Sequence, residues 1–375
     1  MVYLDHSATT PLDNEVLQKM LPYMTEHYGN ADSPHAIGRK AMNAVDSARD
    51  NLAELLGAKP NELYFTSGGT ESDNWCLRSF AYAMQSKGRT EIILPEIEHH
   101  AILATAEKLE KQGFTLTWLP VNKFGVVETD ELQARISEKT GVVCVMMANN
   151  ETGSIQPIQA LAEITHSHGA LFFSDGVQAI PHLPINVKQL GVDGFAFSSH
   201  KIYGPKGCGG LYIRGGIKTQ GFIVGGEQER GLRGGTTNVP AVVGMSFAYQ
   251  KTRQIMEETQ AKMRAFRALF LQEISVLDGI SVNGQDGLPA LLNLHIDGVN
   301  GVELVYNMDL QGVCISAGSA CASASIKPSR ALLAMGFDEK KAKECVRIGF
   351  GRENTEEEIR FSAEKLKECI ARLRG

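Results

Sequence analysis

The sequence lacks the long apolar stretches of a membrane protein and the charge blocks of an interaction tail. No stretch approaches the ~20 consecutive apolar residues that span a bilayer. The net charge is only −6 at pH 7, which argues against tight, sequence-independent binding to nucleic acids. The first residues include an acid where an export signal would be basic. We therefore expect a soluble protein with no membrane partner and no direct nucleic-acid partner.

The sequence also lacks any pair of cysteines spaced as Cys-x-x-Cys. Its seven cysteines are an odd number and are widely scattered. This pattern argues against a disulfide framework and against a zinc site. We therefore expect reduced thiols, a cytoplasmic location and no resident metal.

Strand and helix patterns alternate between about residue 40 and residue 215, which predicts βαβ units and a mostly parallel sheet. One helical face ends at Gly57, which is placed as a C-terminal cap. Short apolar runs bounded by polar turns predict buried strands. These runs are Leu63–Thr66, Ile92–Leu94, Val142–Met147, Leu171–Ser174 and Phe195–Ser198.

The sequence pattern in the second half of the chain predicts a smaller α+β domain. A long charged helix over about 250–275 is expected to lead into it, and Thr355 with Glu358 has the spacing of a capping box at the start of the last helix. We predict a large α/β domain over 14–257 and a small domain formed by 1–13 and 258–375.

A glycine-rich turn follows the first predicted strand. Ser67–Ser72 opens a predicted helix, so the N–H groups of Gly69 and Thr70 would point outward as a candidate anion site. A simple turn and helix cap explains the same residues. Two other glycine clusters, at 204–210 and 225–235, lack the spacing of a P-loop or a dinucleotide fingerprint, so we do not predict those folds.

Other polar side chains follow the later strands. Asp175 directly follows a strand, and a buried acid there either caps a turn or meets a cationic group of a ligand. Lys201 ends another strand, where it is either solvated or an amine nucleophile. An anion site, a carboxylate and an amine together fit pyridoxal 5′-phosphate (PLP). His99 and Asn150 also follow strands and could stack on the ring and bond its hydroxyl.

The segment Ala317–Ser325 contains only Ala, Gly, Ser and Cys. It has no side chain that could anchor it, and Cys321 is its only reactive group. The pattern is typical either of a surface connection with an incidental cysteine or of a nucleophile that must travel. We predict the second.

In these residues the chain resembles the cysteine desulfurases of the nitrogen-fixation and iron–sulfur type. These belong to the class V aminotransferase family and are fold type I PLP enzymes. The likeness covers nearly the whole chain. It is carried by Tyr3–Pro11, Thr66–Asn74, Glu98–His99, Asn149–Gly153, Asp175 with Gln178, Ser198–Gly207, Arg230–Thr236 and Ser319–Cys321.

The resemblance implies a role for each matching residue. Lys201 would hold PLP as a Schiff base, Asp175 would pair with the pyridine nitrogen, and His99 would stack on the ring. Arg347 would clamp the substrate carboxylate, together with Asn150. The ring hydroxyl would be bonded by Gln178 and Asn150, and the phosphate by Gly69, Thr70, Ser198, His200 and, from the other subunit of a homodimer, Thr236.

The implied reaction converts L-cysteine to L-alanine. Cys321 would take up the sulfur as a persulfide and pass it to an acceptor protein, either an iron–sulfur scaffold or a thiolation enzyme. In the first case Cys321 could transiently share a cluster with the scaffold. The family's usual Asn-Pro is Asn30-Ala31 here, and the chain stops at Gly375 without the C-terminal extension of housekeeping members, from which we expect a dedicated acceptor.

Three alternatives stay open. A selenocysteine lyase would use the same socket, and another class V aminotransferase would need no cysteine arm. A non-catalytic sulfur-relay or nucleotide-binding module is the alternative outside the enzymes.

Overall fold

The described residues contain twelve strands, and seven of them form the large sheet of the α/β part. The computed structural model describes residues 1–284, 287–318 and 328–375. In chain order the strands are β1 (Val2–Tyr3), β2 (Leu63–Thr66), β3 (Glu91–Pro95), β4 (Thr115–Leu119), β5 (Thr140–Cys144), β6 (Leu171–Asp175), β7 (Gly194–Ser198), β8 (Gly209–Ile213), β9 (Ile280–Asn283), β10 (Leu291–Ile296), β11 (Val313–Cys314) and β12 (Cys345–Gly349).

Helices cover both faces of this sheet and one face of a smaller one. They are α1 (Asn14–Thr25), α2 (Ala36–Leu56), α3 (Gly69–Gln85), α4 (His100–Glu110), α5 (Thr129–Arg135), α6 (Ile158–Ser167), α7 (Val187–Leu190), α8 (Val239–Gln254), α9 (Met256–Ile274), α10 (Gly301–Leu310), α11 (Arg330–Ala334), α12 (Glu339–Lys343) and α13 (Glu356–Arg374). None of the helices in the described ranges carries an apolar stretch that could cross a membrane.

The large sheet has the strand order β2-β8-β7-β6-β5-β3-β4. Its central pairs run parallel, and only β8 runs antiparallel to its two neighbours. The predicted α/β class with a mostly parallel sheet is therefore confirmed. The five apolar runs noted in the sequence contribute to β2, β3, β5, β6 and β7.

Two strands of this sheet, β4 and β8, were not predicted. Strand β8 begins inside the glycine cluster at 204–210. Glycines are needed there because the backbone of the strand passes very close to its neighbours. A Cβ atom on Gly209 would lie 2.6 Å from the Cα of Gly68. The glycines therefore let the strand pack against the turn that precedes α3.

Local signals placed the helix ends correctly. Helix α2 ends at Gly57, which has a left-handed φ of 70°. Thr355 and Glu358 form the predicted capping box of α13.

The predicted long helix over 250–275 is instead two helices, α8 and α9. They meet at Ile255, whose φ of −105° and ψ of 12° interrupt the helical geometry.

The smaller α+β part contains a three-stranded antiparallel sheet in the order β12-β10-β9. The N-terminal strand β1 pairs with β11, and Leu4 is buried in the same apolar cluster as Phe270, Leu294 and Leu366. The first residues of the chain therefore pack with its last third. The exact boundaries at 13/14 and 257/258 stay a prediction.

Candidate active site

A cavity of about 200 Å³ opens at the carboxyl ends of β5, β6 and β7. Parallel strands present their following loops at one edge, so polar residues far apart in sequence meet there. The sequence-predicted residues that line it are Gly69, Thr70, His99, Asn150, Asp175, Gln178, Ser198, His200, Lys201 and Arg347. Ser7, Ala8, Asp73, Met146 and Val177 also line it and were not singled out from the sequence.

The N-terminus of α3 forms one end of the cavity. Gly68 precedes the helix with a φ of 152° and supplies no side-chain cap. The N–H groups of Gly69 and Thr70 donate no hydrogen bond to any residue in the described ranges. A Cβ on Gly69 would lie 2.7 Å from Cγ2 of Val177, so a larger residue here would require the Val177 side chain to shift. The helix start is therefore open to an anion.

Lys201 lies at the end of a short 3₁₀ turn, Ser199–Lys201, that follows β7. Its Nζ donates to the carbonyl oxygen of Ala8 at 2.8 Å and also to that of Ser7. The N-terminal segment thus holds the amine inside the cavity. Burial, aided by the neighbouring Lys201, lowers the pKa of His200 to about 4, so its imidazole is neutral at pH 7.

Asp175 lies at the end of β6 with 4% of its surface exposed. Its Oδ1 accepts the N–H of Val177 at 2.8 Å. Burial raises the pKa of Asp175, and the positive charges of His99 and Lys201 oppose that rise. Gln178 is buried beside it, and its Oε1 has no hydrogen-bond partner. This corner of the cavity therefore offers a carboxylate and an amide to a ligand.

His99 caps helix α4 from inside the cavity. Its Nδ1 accepts the N–H of Ala101 at 3.2 Å. Burial lowers the pKa of His99, against the opposing effect of Asp175. A neutral ring whose Nδ1 is an acceptor carries its proton on Nε2.

Arg347 is almost completely buried, with 1% of its surface exposed. Its Nη2 pairs with Oδ1 of Asp5 at 2.8 Å, and its Nη1 donates to the carbonyl oxygen of Asn150 at 2.9 Å. The Nε atom is buried and has no partner. Asp5 also accepts a hydrogen bond from Ser316 at 3.0 Å. The sequence showed Asp5 only as part of the Tyr3–Pro11 motif.

Among the predicted residues that the structure describes, Thr236 does not line this cavity. Thr236 lies instead in a second pocket with Gly207, Arg233 and Gly235. Its predicted contact with a partner subunit's phosphate stays a prediction. Cys321 lies outside the described residues.

The other six cysteines are all free thiols, and burial raises the pKa of each. The pKa values of Cys208 and Cys345 rise to about 12. None of the thiols in the described ranges is therefore an activated nucleophile.

The residues present fit PLP. The two unpaired N–H groups suit a phosphate, the buried carboxylate suits a pyridine nitrogen, and the unpartnered amide oxygen of Gln178 suits a ring hydroxyl. An amine for the aldehyde lies in the same cavity at Lys201.

Comparison with known proteins gives one consistent result. The sequence profile of the class V aminotransferases matches residues 2–361. Cysteine desulfurase IscS of Methanosarcina thermophila is 42% identical over 376 residues, which cover 100% of this chain and 93% of the relative. A solved NifS-like protein superposes with a TM-score of 0.93 at 36% identity and covers 99% of both chains. A structure described as SspA in complex with cysteine has a TM-score of 0.80 at 30% identity and covers 93% of this chain and 99% of that one.

The chain belongs to the class V aminotransferase family. Within it, the chain groups with the cysteine desulfurases, as the sequence motifs predicted. It is a PLP-dependent enzyme of fold type I, and nothing supports the non-catalytic alternative.

Proposed function

We propose that this class V aminotransferase family member acts on L-cysteine and releases L-alanine, with the sulfur leaving through Cys321. The observation that carries the proposal is one cavity that contains the amine of Lys201, the buried carboxyl of Asp175, the open start of α3 and the guanidinium of Arg347. These four groups match what PLP-dependent chemistry on an amino acid needs: an amine for the aldehyde, an acid for the pyridine nitrogen, an anion site for the phosphate and a cation for the substrate carboxylate.

The cofactor would be held by Lys201, Asp175 and the N–H groups of Gly69 and Thr70, with Ser198 and His200 beside the phosphate end. Bound PLP supplies an electron sink for the bond broken at the substrate's α-carbon. The buried carboxylate of Asp175 stabilises positive charge on its ligand, because few waters screen it at this depth.

Arg347 would bind the substrate carboxylate. Its unpartnered Nε and its Nη2 lie on one edge of the guanidinium, which matches the two oxygens of a carboxylate. Asp5 accepts one of the two Nη2 hydrogens, so it fixes the guanidinium plane before the substrate arrives and leaves the other hydrogen for the substrate. Asn150 positions the opposite edge through its carbonyl oxygen.

His99 would stack on the ring and donate a hydrogen bond from Nε2–H to the ligand. In its neutral form the proton is on Nε2, and Nδ1 is engaged by Ala101. A net proton transfer by His99 would first require proton uptake at Nδ1, which breaks the hydrogen bond to Ala101. The amine of Lys201, held in the cavity by main-chain carbonyls, is the candidate base for the α-proton.

Cys321 would accept the sulfur. Its thiolate would form an S–S bond with the substrate sulfur while the substrate's Cβ–S bond breaks. The electron pair of the broken bond would stay on Cβ, which takes up a proton to become the methyl group of alanine. The raised pKa values of the six other cysteines support this assignment, because a protonated buried thiol is a poor nucleophile.

The partners are also part of the proposal. A homodimer would bring Thr236 of one subunit to the phosphate of the other, and Thr236 lines a pocket other than the cofactor cavity of its own subunit. A protein acceptor, either an iron–sulfur scaffold or a thiolation enzyme, would take the persulfide. Free cysteines throughout the described ranges are consistent with the cytoplasmic location predicted from the sequence.

The test incubates the PLP-loaded enzyme with L-cysteine and measures alanine and sulfide. Cys321→Ala should keep the visible absorption band of the cofactor but release almost no sulfide, whereas Cys314→Ala should behave as the wild type. Borohydride followed by peptide mapping should place the cofactor on Lys201 and not on Lys206. Undiminished sulfide release by Cys321→Ala, or a preference for selenocysteine with no turnover of L-cysteine, would contradict the proposal.

A further inference from the structure

A second buried carboxyl group lies beside Asp175 and is not used by the proposed reaction. Asp73 is in the first turns of α3 and has 1% of its surface exposed. It lines the cofactor cavity, and its Oδ1 is buried without any hydrogen-bond partner. A carboxylate oxygen of Asp73, one of Asp175 and a ring nitrogen of His99 all lie within 4.8 Å of one another.

The groups around Asp73 are acids or neutral groups. Burial raises the pKa of Asp73 well above its usual value, and the negative charges of Asp175 and Glu98 raise it further. Cys76, one turn along α3, and Cys144, on β5, are buried thiols whose pKa values are also raised. No salt bridge involves Asp73 in the part of the chain that the structure describes.

Asp175 is better placed to carry the negative charge. Burial raises its pKa, but the rise is opposed by positive charge at His99 and Lys201 and by the N–H of Val177, which it accepts, whereas Asp73 has no such opposing partner. Glu98 accepts the N–H of Met146, and burial together with the negative charge of Asp175 raises the pKa of Glu98 well above its usual value. Two buried carboxylates this close do not both ionise, because their repulsion is poorly screened. One of the two carboxyl groups therefore keeps its proton, and that group is Asp73.

We propose that Asp73 is a positioning residue that keeps its proton and donates it in a hydrogen bond to Asp175 when the cofactor is bound. The proposal requires the two carboxyl oxygens, which lie within 4.8 Å of each other, to close to hydrogen-bond distance. The bond would hold Asp175 in its charged form and fix its second oxygen, which leaves the first to face the pyridine nitrogen. The inference rests on the proposed role of Asp175 in binding PLP.

Matched variants separate the effect of losing the hydrogen-bond donor at residue 73 from the effect of losing its ionisable group. Asp73→Asn keeps a hydrogen-bond donor of nearly the same shape. Asp73→Leu and Asp73→Ala remove the donor, and the smaller variant covers the case in which leucine does not fit. Glu98→Gln is the control, since it replaces a neighbouring buried acid outside the close cluster by an amide of nearly the same shape.

The measurements use apoenzyme and PLP rather than turnover. The affinity for PLP is measured by absorbance titration, and the pH midpoint of the visible band is measured on the loaded enzyme. Asp73→Asn and Glu98→Gln should stay within about threefold of the wild-type affinity. Asp73→Leu and Asp73→Ala should bind PLP at least tenfold more weakly and raise the midpoint by about one pH unit, because an unprotonated ring lets the Lys201 linkage hold its proton to higher pH.

Three outcomes would overturn the inference. The first is wild-type affinity and midpoint in Asp73→Leu and Asp73→Ala. The second is a loss in Asp73→Asn equal to that in Asp73→Leu, since charge and not donation would then matter. The third is the same loss in Glu98→Gln. A failure of the proposed function is separate, because the wild type would then bind PLP but form no alanine.

Discussion

Replacing Arg347 by lysine tests whether the guanidinium recognises the substrate carboxylate. The wild-type side chain makes an ion pair with Asp5 at 2.8 Å and a hydrogen bond to the carbonyl of Asn150 at 2.9 Å, and its Nε is free of partners. A lysine ammonium keeps the charge but cannot present two parallel donors while it also satisfies Asp5. The variant therefore removes one of the two charge-assisted bonds to the substrate.

The size of the effect follows from that loss. A hydrogen bond to a charged group contributes about 1.5–3 kcal/mol. At about 1.36 kcal/mol for each factor of ten, kcat/KM for L-cysteine should fall roughly 10- to 160-fold. The carboxylate is bound equally in the ground state and the transition state, so most of the change should be in KM.

The assay is the initial rate of alanine formation over a range of L-cysteine concentrations with PLP-saturated enzyme. The matched control is Arg352→Lys. Arg352 is also largely buried and pairs with Asp13, but it lies outside the cofactor cavity. The control should stay within about threefold of the wild type. A KM for Arg347→Lys within threefold of the wild type, or an equal loss in the control, would refute the reasoning.

Three further predictions concern the cofactor site, pH and the last helix. Asp175→Asn should lower kcat by about 10²–10³-fold with an unchanged circular dichroism spectrum, and near-normal alanine formation would contradict its role. Burial lowers the pKa of His182 from 6.5 to about 4, so the unfolded state takes up a proton first as the pH falls and stability is lost between these values. We therefore expect His182→Gln to lose less unfolding free energy than the wild type between pH 7 and pH 4, by up to about 3 kcal/mol, in urea titrations of apoenzyme. Parallel plots of unfolding free energy against pH for the two proteins would contradict this expectation. Thr355→Ala should cost about 1 kcal/mol in the same assay and Thr355→Ser much less, whereas equal losses would rule out the capping box as the cause.

The sequence alone determined the local features and predicted the residues of the site. Apolar runs marked β2, β3, β5, β6 and β7, because a buried parallel strand needs apolar residues on both faces. Caps such as Gly57 are also read locally, since they depend only on the conformation of a few adjacent residues. The residues that follow each strand could be assigned to one edge, because parallel strands all end there.

Only the tertiary structure decided which distant groups touch. Asp5 and Arg347 are 342 residues apart and pair because β1 and β12 both belong to the smaller part of the fold. Strand β8 was not predicted from the sequence. It begins with glycines that allow close packing against Gly68, and no local sequence pattern indicates that contact. Asp73 looked like an ordinary helical residue until folding placed it beside Asp175. Burial and electrostatic coupling arise from such long-range contacts, so the charge states that set the chemistry are properties of the fold.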